Sequence, residues 1–206
     1  ATGASSGERI AQGAIANAEM LGDQLLAILK QRDGQLADAL AGLGPERLET
    51  PCYHPGGIVP AGNFIDLRLK ELALHEWDIR SALEPDAGLS RECLPSIMIL
   101  LANSIASGSL PWAFWPGPSL AAPVRYRFDV SKPVPISVEI AMAGDQFRLE
   151  DAGEGRADVT FRCDTETFLL LLNGRLAPSP AIAAGRLAVE GDSGLAADFG
   201  QWFKGI

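Results

Sequence analysis

The spacing of apolar positions changes once along this chain, from a period typical of helices to one typical of strands. Residues 8–43 repeat large apolar side chains at helical spacing, and Gly34 is a candidate kink, or a break into two helices, in this stretch. Residues 63–83 and 90–107 carry the same period, with Asn63 as a candidate N-cap. The pattern therefore predicts three helical segments of bundle length in the first part of the chain.

The second part of the chain alternates apolar and polar residues, which predicts strands. The alternating runs are 124–130, 136–140, 147–149, 159–163 and 187–190. Asp164 or Thr165 is expected to begin a helix that ends at Leu172, and a last helix is expected over 193–203. Strands followed by helices predict an α+β domain with a mostly antiparallel sheet.

Two proline-rich stretches divide these segments. Residues 50–62 contain three prolines and three glycines, which predicts an ordered loop. Residues 110–123 contain four prolines and form a stiff connection. We place the domain boundary there, so the chain is predicted to hold an α-helical domain at 1–117 and an α+β domain at 118–206.

Composition narrows the classes of function. The 206 residues are 47% hydrophobic and carry a formal net charge of −9, with no basic tract that could neutralise the phosphates of a nucleic acid. No apolar run approaches the roughly 20 residues that span a bilayer, and residues 1–7 lack the order of a signal peptide. Three widely spaced cysteines do not suggest a disulfide framework. We expect a cytoplasmic protein without nucleic-acid or membrane partners.

Ionisable side chains follow one face of the predicted helix at 63–83. Glu71 and His75 are four residues apart, which places both on one face and within reach of a single metal ion such as Zn²⁺. Arg68 and Asp78 extend the same stripe by about a turn on either side. The alternative interpretation is a surface Glu–His pair with a solvated aspartate. The second histidine, His54, either folds back over this helix or holds the turn in its own loop.

The same stripe carries a resemblance to a known family. Residues 66–83 resemble the third-helix signature of mycothiol-dependent maleylpyruvate isomerase-like proteins, which belong to the DinB-like metal-binding four-helix bundles. The match rests on Arg68, Glu71, His75 and Asp78 in the order Arg-x-x-Glu-x-x-x-His-x-x-Asp.

The C-terminal part is similar to the second domain of the same family, which has a sterol-carrier-protein-like α+β fold. Residues 160–175 resemble its strand, helix and following Gly-Arg turn, and residues 191–195 resemble the start of its final helix. The resemblance extends from about residue 8 to the end of the chain.

The resemblance implies a zinc- and thiol-dependent isomerase or S-transferase that acts on a small electrophile. Glu71 and His75 would be metal ligands, Asp78 would orient His75, and Arg68 would be a buried partner for carboxylates. Zinc would lower the pKa of a thiol such as mycothiol and so produce a thiolate. Arg175 would contact an anionic substrate or the thiol cofactor, and it is the candidate catalytic residue; its alternative role is a charge at a helix C-terminus.

Trp112, together with Trp115, is a candidate wall of the thiol site, and packing of the proline-rich connection is the alternative role. The family's first helix ends in a histidine that completes the zinc site, and no residue before position 8 supplies it. We therefore expect three of four bundle helices, with a segment lost from the chain; the alternative is a family member that lacks this helix. Two other hypotheses remain: a binding module for a lipid or another small molecule, and a homodimer or other partner-dependent protein in which another chain supplies the missing helix.

Overall fold

The computed structural model resolves two compact units. Residues are described over the ranges 6–54, 57–107, 117–144 and 146–204. One unit holds Ala1–Tyr53 with Ile58–Gly62, and the other holds His54–Gly57 with Asn63–Ile206. The boundary predicted between residues 117 and 118 stays a prediction, because residues 108–116 beside it lie outside the described part.

The first unit begins with two helices. Helix α1 spans Ser6–Leu21 and α2 spans Leu25–Ala41, and the 3₁₀ turn Gly22–Gln24 joins them. Gly22 has a φ of +48°, a conformation that glycine adopts without steric cost. The predicted break at Gly34 was wrong: Gly34 lies inside α2, and the break falls at Gly22, where the backbone needs a positive φ.

The segment predicted as an ordered loop contains a pair of short strands. Strand β1 spans Pro51–His54 and β2 spans Gly57–Pro60, and they form a two-stranded sheet. The loop was expected because of its prolines and glycines. Strands of four residues at a turn are too short to leave a clear period in the sequence.

Two further helices belong to the second unit. Helix α3 spans Asn63–Ser81 and α4 spans Leu94–Ser107. Each contributes buried apolar side chains, including Leu74 and Ile97, to the same core as the sheet described next. That these helices belong to a DinB-like bundle stays a prediction. None of the helices in the described part of the chain has both the length and the hydropathy that crossing a bilayer requires.

The second unit contains a five-stranded sheet in the order β5-β4-β3-β6-β7. Its strands are β3 Leu120–Val130, β4 Ile136–Gly144, β5 Gln146–Asp151, β6 Val159–Cys163 and β7 Ala188–Gly191. Strands β3 and β6 are parallel, and the other neighbouring pairs are antiparallel. The predicted mixed α+β architecture with a mostly antiparallel sheet is confirmed.

Three short helices cover one face of this sheet. They are α5 Thr165–Leu172, α6 Pro178–Ala183 and α7 Ser193–Asp198, and α7 continues into the 3₁₀ turn Phe199–Gln201. The side chain of Asp164 accepts a hydrogen bond from the Thr167 amide and caps α5, as predicted. Gly174, with a φ of +66°, ends that helix region.

The alternation along the strands separates an apolar face from a charged one. Tyr126 and Phe128 of β3 lie beside Ile140 and Val138 of β4 on the face that packs against the helices. Arg125, Arg127 and Glu139 lie on the other face. The apolar interior therefore lies between the sheet and α5–α7, and buried side chains of α3 and α4 extend it.

Candidate functional site

Three of the predicted site residues lie together on helix α3. The Nδ1 atom of His75 is 3.1 Å from Oδ2 of Asp78, and its Nε2 atom is 3.4 Å from Oε2 of Glu71. An ionised carboxylate only accepts hydrogen bonds, so Nδ1 carries the hydrogen that binds Asp78. The ring of His75 therefore lies between the carboxylates of Asp78 and Glu71.

Arg175 connects this cluster to the α+β domain. Its Nε atom donates to Oδ1 of Asp78 at 2.8 Å, and its Nη2 atom donates to Oδ2 at 2.7 Å. The third nitrogen, Nη1, donates to the carbonyl oxygen of Asn173 at 3.0 Å. A two-point contact of this kind fixes both partners in one orientation. The structure thus brings Arg175 to Asp78, which holds His75.

The charge of Arg175 also controls the ionisation of Asp78. Burial alone would raise the pKa of Asp78, but the hydrogen bonds and charge of Arg175, followed by those of His75, outweigh it and hold the pKa below its usual value. Asp78 is therefore an acceptor at neutral pH, as its hydrogen bond from Nδ1 of His75 requires.

Sequence reasoning missed Lys70, which belongs to the same cluster. Its side chain is 16% exposed, and its Nζ atom is 3.9 Å from Oε1 of Glu71. Burial lowers the pKa of Lys70, the carboxylate of Glu71 opposes this, and the charge of Arg175 adds to it. The sequence held a signal: Lys70 lies one helical turn before Ala73 and Leu74, on the apolar side of α3.

Arg68, His54 and Trp112 are the remaining predicted site residues. Arg68 is partly buried on α3, and its role as a partner for carboxylates stays a prediction. His54 is the last residue of β1, and its side chain is outside the described part of the structure. Trp112 lies within 108–116 and so outside the described residues.

The donor set of the cluster fits part of a metal site. Two ligands of a tetrahedral zinc ion, at about 2.0–2.2 Å from the metal, are about 3.4 Å apart, and Glu71 and His75 have this separation. Across the described residues, no group of three or more His, Cys, Asp and Glu side chains is arranged to hold a metal ion. The pair therefore offers two ligands, and its metal role stays a prediction.

Aromatic rings fill the interior between the sheet and its helices. Phe128 lies with its ring centroid 4.9 Å from that of Phe161 and 5.0 Å from that of Phe168. Phe199 stacks on Phe203 at 4.6 Å, just after α7. These separations are those of favourable aromatic pairs. The interior surface is therefore strongly apolar.

The polar groups at this interior have ordinary structural roles. Burial raises the pKa of Tyr126, helped by the charges of Asp198, Asp158 and Asp192, so the hydroxyl keeps its proton and donates to the carbonyl oxygen of Leu195 at 3.1 Å. Burial, with a smaller contribution from Asp164, raises the pKa of the thiol of Cys163 to about 12. A thiol with this pKa is not a nucleophile at neutral pH.

Comparison with known proteins identifies this domain. Residues 121–204 match the SCP-2 sterol transfer family. No curated protein matches the chain.

Several solved structures are similar to parts of the chain. The ubiquinone synthesis protein UbiJ-SCP2 is 23% identical, with 37% of this chain and 62% of that chain covered and a TM-score of 0.32. Sterol carrier protein 2 of Yarrowia lipolytica is 18% identical, with coverages of 38% and 63% and a TM-score of 0.31. Sterol carrier protein 2 like 2 of Aedes aegypti is 14% identical, with coverages of 54% and 97% and a TM-score of 0.34. The chain spans less than two thirds of the first two proteins.

The family match tests the predicted resemblance to maleylpyruvate isomerase-like proteins over residues 121–204. The sterol-carrier-like part is confirmed, while the maleylpyruvate isomerase and DinB-like parts stay predictions. Residues 121–204 are an SCP-2-like domain.

Proposed function

We propose that the SCP-2-like domain binds an apolar small molecule, such as a lipid, between its sheet and helices α5–α7. The match of residues 121–204 to the SCP-2 sterol transfer family is the observation that carries this proposal. The aromatic interior supports it, because burying apolar ligand surface is favourable by about 25 cal/mol per Å². Of the hypotheses that the sequence left open, this is the binding module.

Helix α7 is the element that we expect to move when a ligand enters. It is six residues long, and helices this short depend on tertiary packing for their stability. Ala196 of α7 is fully buried, while its neighbour Ala197 is exposed. A ligand inside the domain would therefore contact the side of α7 that carries Ala196.

The proposal predicts that enlarging Ala196 weakens ligand binding. Ala196→Leu adds apolar groups to the interior that compete with the ligand for space, and we expect an affinity for 1-decanol about tenfold lower than that of the delipidated wild-type chain. Ala197→Leu, on the exposed side of α7, is the matched control and should bind like the wild type. Isothermal titration calorimetry measures all three affinities.

Two results of this titration would contradict the proposal. One is a wild-type chain that binds no apolar ligand after delipidation. The other is an equal loss of affinity in Ala196→Leu and Ala197→Leu, which would place the ligand outside the interior. Thermal unfolding of each variant would confirm that both variants have folded.

A second candidate function, zinc-dependent thiol chemistry, is favoured by the contacts of His75. Glu71 and His75 would hold the ion, Asp78 would fix the ring through Nδ1, and Arg175 would hold Asp78 in place. A bound zinc ion would supply the acidity that turns a thiol such as mycothiol into a thiolate. The substrate in this case would be a small electrophile, for isomerisation or S-transfer.

This second function predicts that zinc binding requires His75. We expect about one zinc ion per chain in the wild-type protein after incubation with zinc and dialysis, and less than about a tenth of that in His75→Ala, because two ligands become one. His54→Ala removes the chain's other histidine and is the control. Elemental analysis of the purified chains gives the zinc content, and equal contents in all three would rule out the proposed ligand.

A further inference from the structure

The indole N–H of Trp202 is a buried hydrogen-bond donor whose donating capacity the chain does not use. Trp202 is 2% exposed, and its Nε1 atom has no hydrogen-bond partner in the described part of the chain. Unpaired buried donors are destabilising and rare in folded proteins. Trp77 shows the usual arrangement, since its Nε1 atom donates to the carbonyl oxygen of Ala87 at 3.0 Å. Trp202 thus retains the capacity to donate one hydrogen bond.

Gly117 lies against the N–H edge of this indole. A Cβ atom at position 117 would be 2.7 Å from Nε1 and Cδ1 of Trp202 and 3.1 Å from the carbonyl oxygen of Gln201. Both distances are shorter than normal van der Waals contact, so any other residue would force the ring or the backbone to shift. Glycine at position 117 therefore keeps side chains away from the donor.

Trp202 belongs to the apolar interior that we propose as the ligand site. It directly follows the 3₁₀ turn Phe199–Gln201, and it lies in the same buried cluster as Phe128 of β3 and Phe168 of α5. An N–H group in such apolar surroundings gains more from an acceptor than it does in water. A ligand in the interior can therefore gain a hydrogen bond from Trp202 in addition to the burial of its apolar surface.

We propose that Trp202 donates its indole N–H to the carbonyl oxygen of an uncharged ligand, such as a ketone or an ester, and that Gly117 leaves the room for this contact. The proposal deepens the proposed function and rests on it for the apolar part of the ligand. Trp202 is then the residue that determines specificity, because it distinguishes an apolar ligand with an acceptor from one without.

The surroundings of Trp202 favour a neutral acceptor over a carboxylate. The indole carries no charge, and a buried carboxylate with one neutral donor would lose most of its hydration without compensation. Close by in the chain, Asp198 accepts a hydrogen bond from Nε2 of Gln201 at 2.7 Å, and its negative charge would repel a second carboxylate. A carbonyl oxygen also suits this site better than a hydroxyl group, because it adds no further donor that needs a partner.

Calorimetric titration of the delipidated full chain with 2-decanone and butylbenzene tests this inference. Both probes are apolar, and only 2-decanone has a carbonyl oxygen. We expect the ratio of the 2-decanone affinity to the butylbenzene affinity to fall about fivefold in Trp202→Phe, as the loss of one hydrogen bond between neutral groups implies. The ratio corrects for the smaller volume of phenylalanine. The wild type should also bind 2-decanone more tightly than decanoate.

Trp77→Phe is the matched control, because it removes an indole N–H that already has an acceptor within the chain. It should leave the affinity ratio unchanged. Gly117→Ala places a Cβ atom against Nε1 and should lower the ratio although the indole is intact. Its own control is Gly155→Ala, since a Cβ atom there would have no neighbour within 4 Å. If Trp202→Phe folds poorly in thermal unfolding, the glycine pair provides the test.

Each outcome decides between the inference and the function on which it rests. Unchanged affinity ratios in Trp202→Phe and Gly117→Ala would overturn the role of Trp202, and continued binding of butylbenzene would then leave the apolar module intact. A wild-type chain that binds decanoate more tightly than 2-decanone would overturn the uncharged class of ligand. A wild-type chain that binds neither 2-decanone nor butylbenzene overturns both the inference and the proposed function.

Discussion

Phe199→Ala is expected to lower the free energy of unfolding by about 3–5 kcal/mol, because it leaves a large cavity in a close-packed core. The Phe199 ring is fully buried and lies 5.1 Å from the Tyr126 ring and 5.2 Å from the Phe128 ring. It also stacks on Phe203. One side chain thus joins the end of α7 to the central strand of the sheet.

Urea denaturation followed by far-UV circular dichroism measures this loss. Phe147→Ala is the matched control, because the Phe147 ring is only partly buried, and we expect less than about half of the effect. Similar losses of stability in the two variants would mean that the burial of Phe199 contributes no more to the core than that of Phe147.

Glu139→Gln is expected to cost about 3 kcal/mol of stability although glutamine has nearly the same shape. The Glu139 side chain is 3% exposed and accepts hydrogen bonds from Nη1 of Arg125 and from Nε of Arg127. Arg127 also donates to the carbonyl oxygens of Gly153 and Gly155. Removing the charge of Glu139 leaves the mostly buried Arg127 without its counterion.

The control for this prediction is Glu150→Gln on the neighbouring strand β5. Glu150 pairs with Arg125 at 2.8 Å but is more exposed than Glu139, and pairs near the surface contribute little, about 1 kcal/mol or less. Urea midpoints and slopes of the two variants give the comparison. A loss of stability below about 1 kcal/mol in Glu139→Gln would show that the charge of Glu139 does not stabilise the sheet.

The strands were predictable because their signal is local. The alternation over residues 159–163 predicted β6, and the structure has Val159–Cys163. One face of each strand is buried, so a period of two is imposed on the sequence itself. Helix α6 was missed because Pro178 and Pro180 suggest a turn, although proline is well tolerated in the first turn of a helix.

The candidate site was predictable where a single helix builds it. The spacing of Glu71, His75 and Asp78 on α3 is enough to bring them together. The contact of Arg175 with Asp78 joins residues 97 positions apart, and only a family resemblance suggested Arg175 from the sequence. The burial of Lys70 was missed, although its spacing from Ala73 and Leu74 placed it on the apolar side of α3.

The burial of Glu139 shows the same limit on the charged side of the sheet. Its place in β4 puts it on the polar face, where alternation predicts exposure. The two arginines of β3 bind its carboxylate instead, and Arg127 also donates to the carbonyl oxygens of Gly153 and Gly155. These contacts come from the folding of β3, β4 and the turn together.

Mapping a bound apolar ligand by NMR tests the central claim most directly. We expect a titration of the delipidated, ¹⁵N-labelled chain with 1-decanol to saturate at about one ligand per chain, with the largest amide shifts in β3, β6, α5 and α7. No saturable shifts, or shifts confined to the exposed apolar residues of α1 and α2 such as Ile15 and Leu26, would contradict an apolar binding site in the SCP-2-like domain.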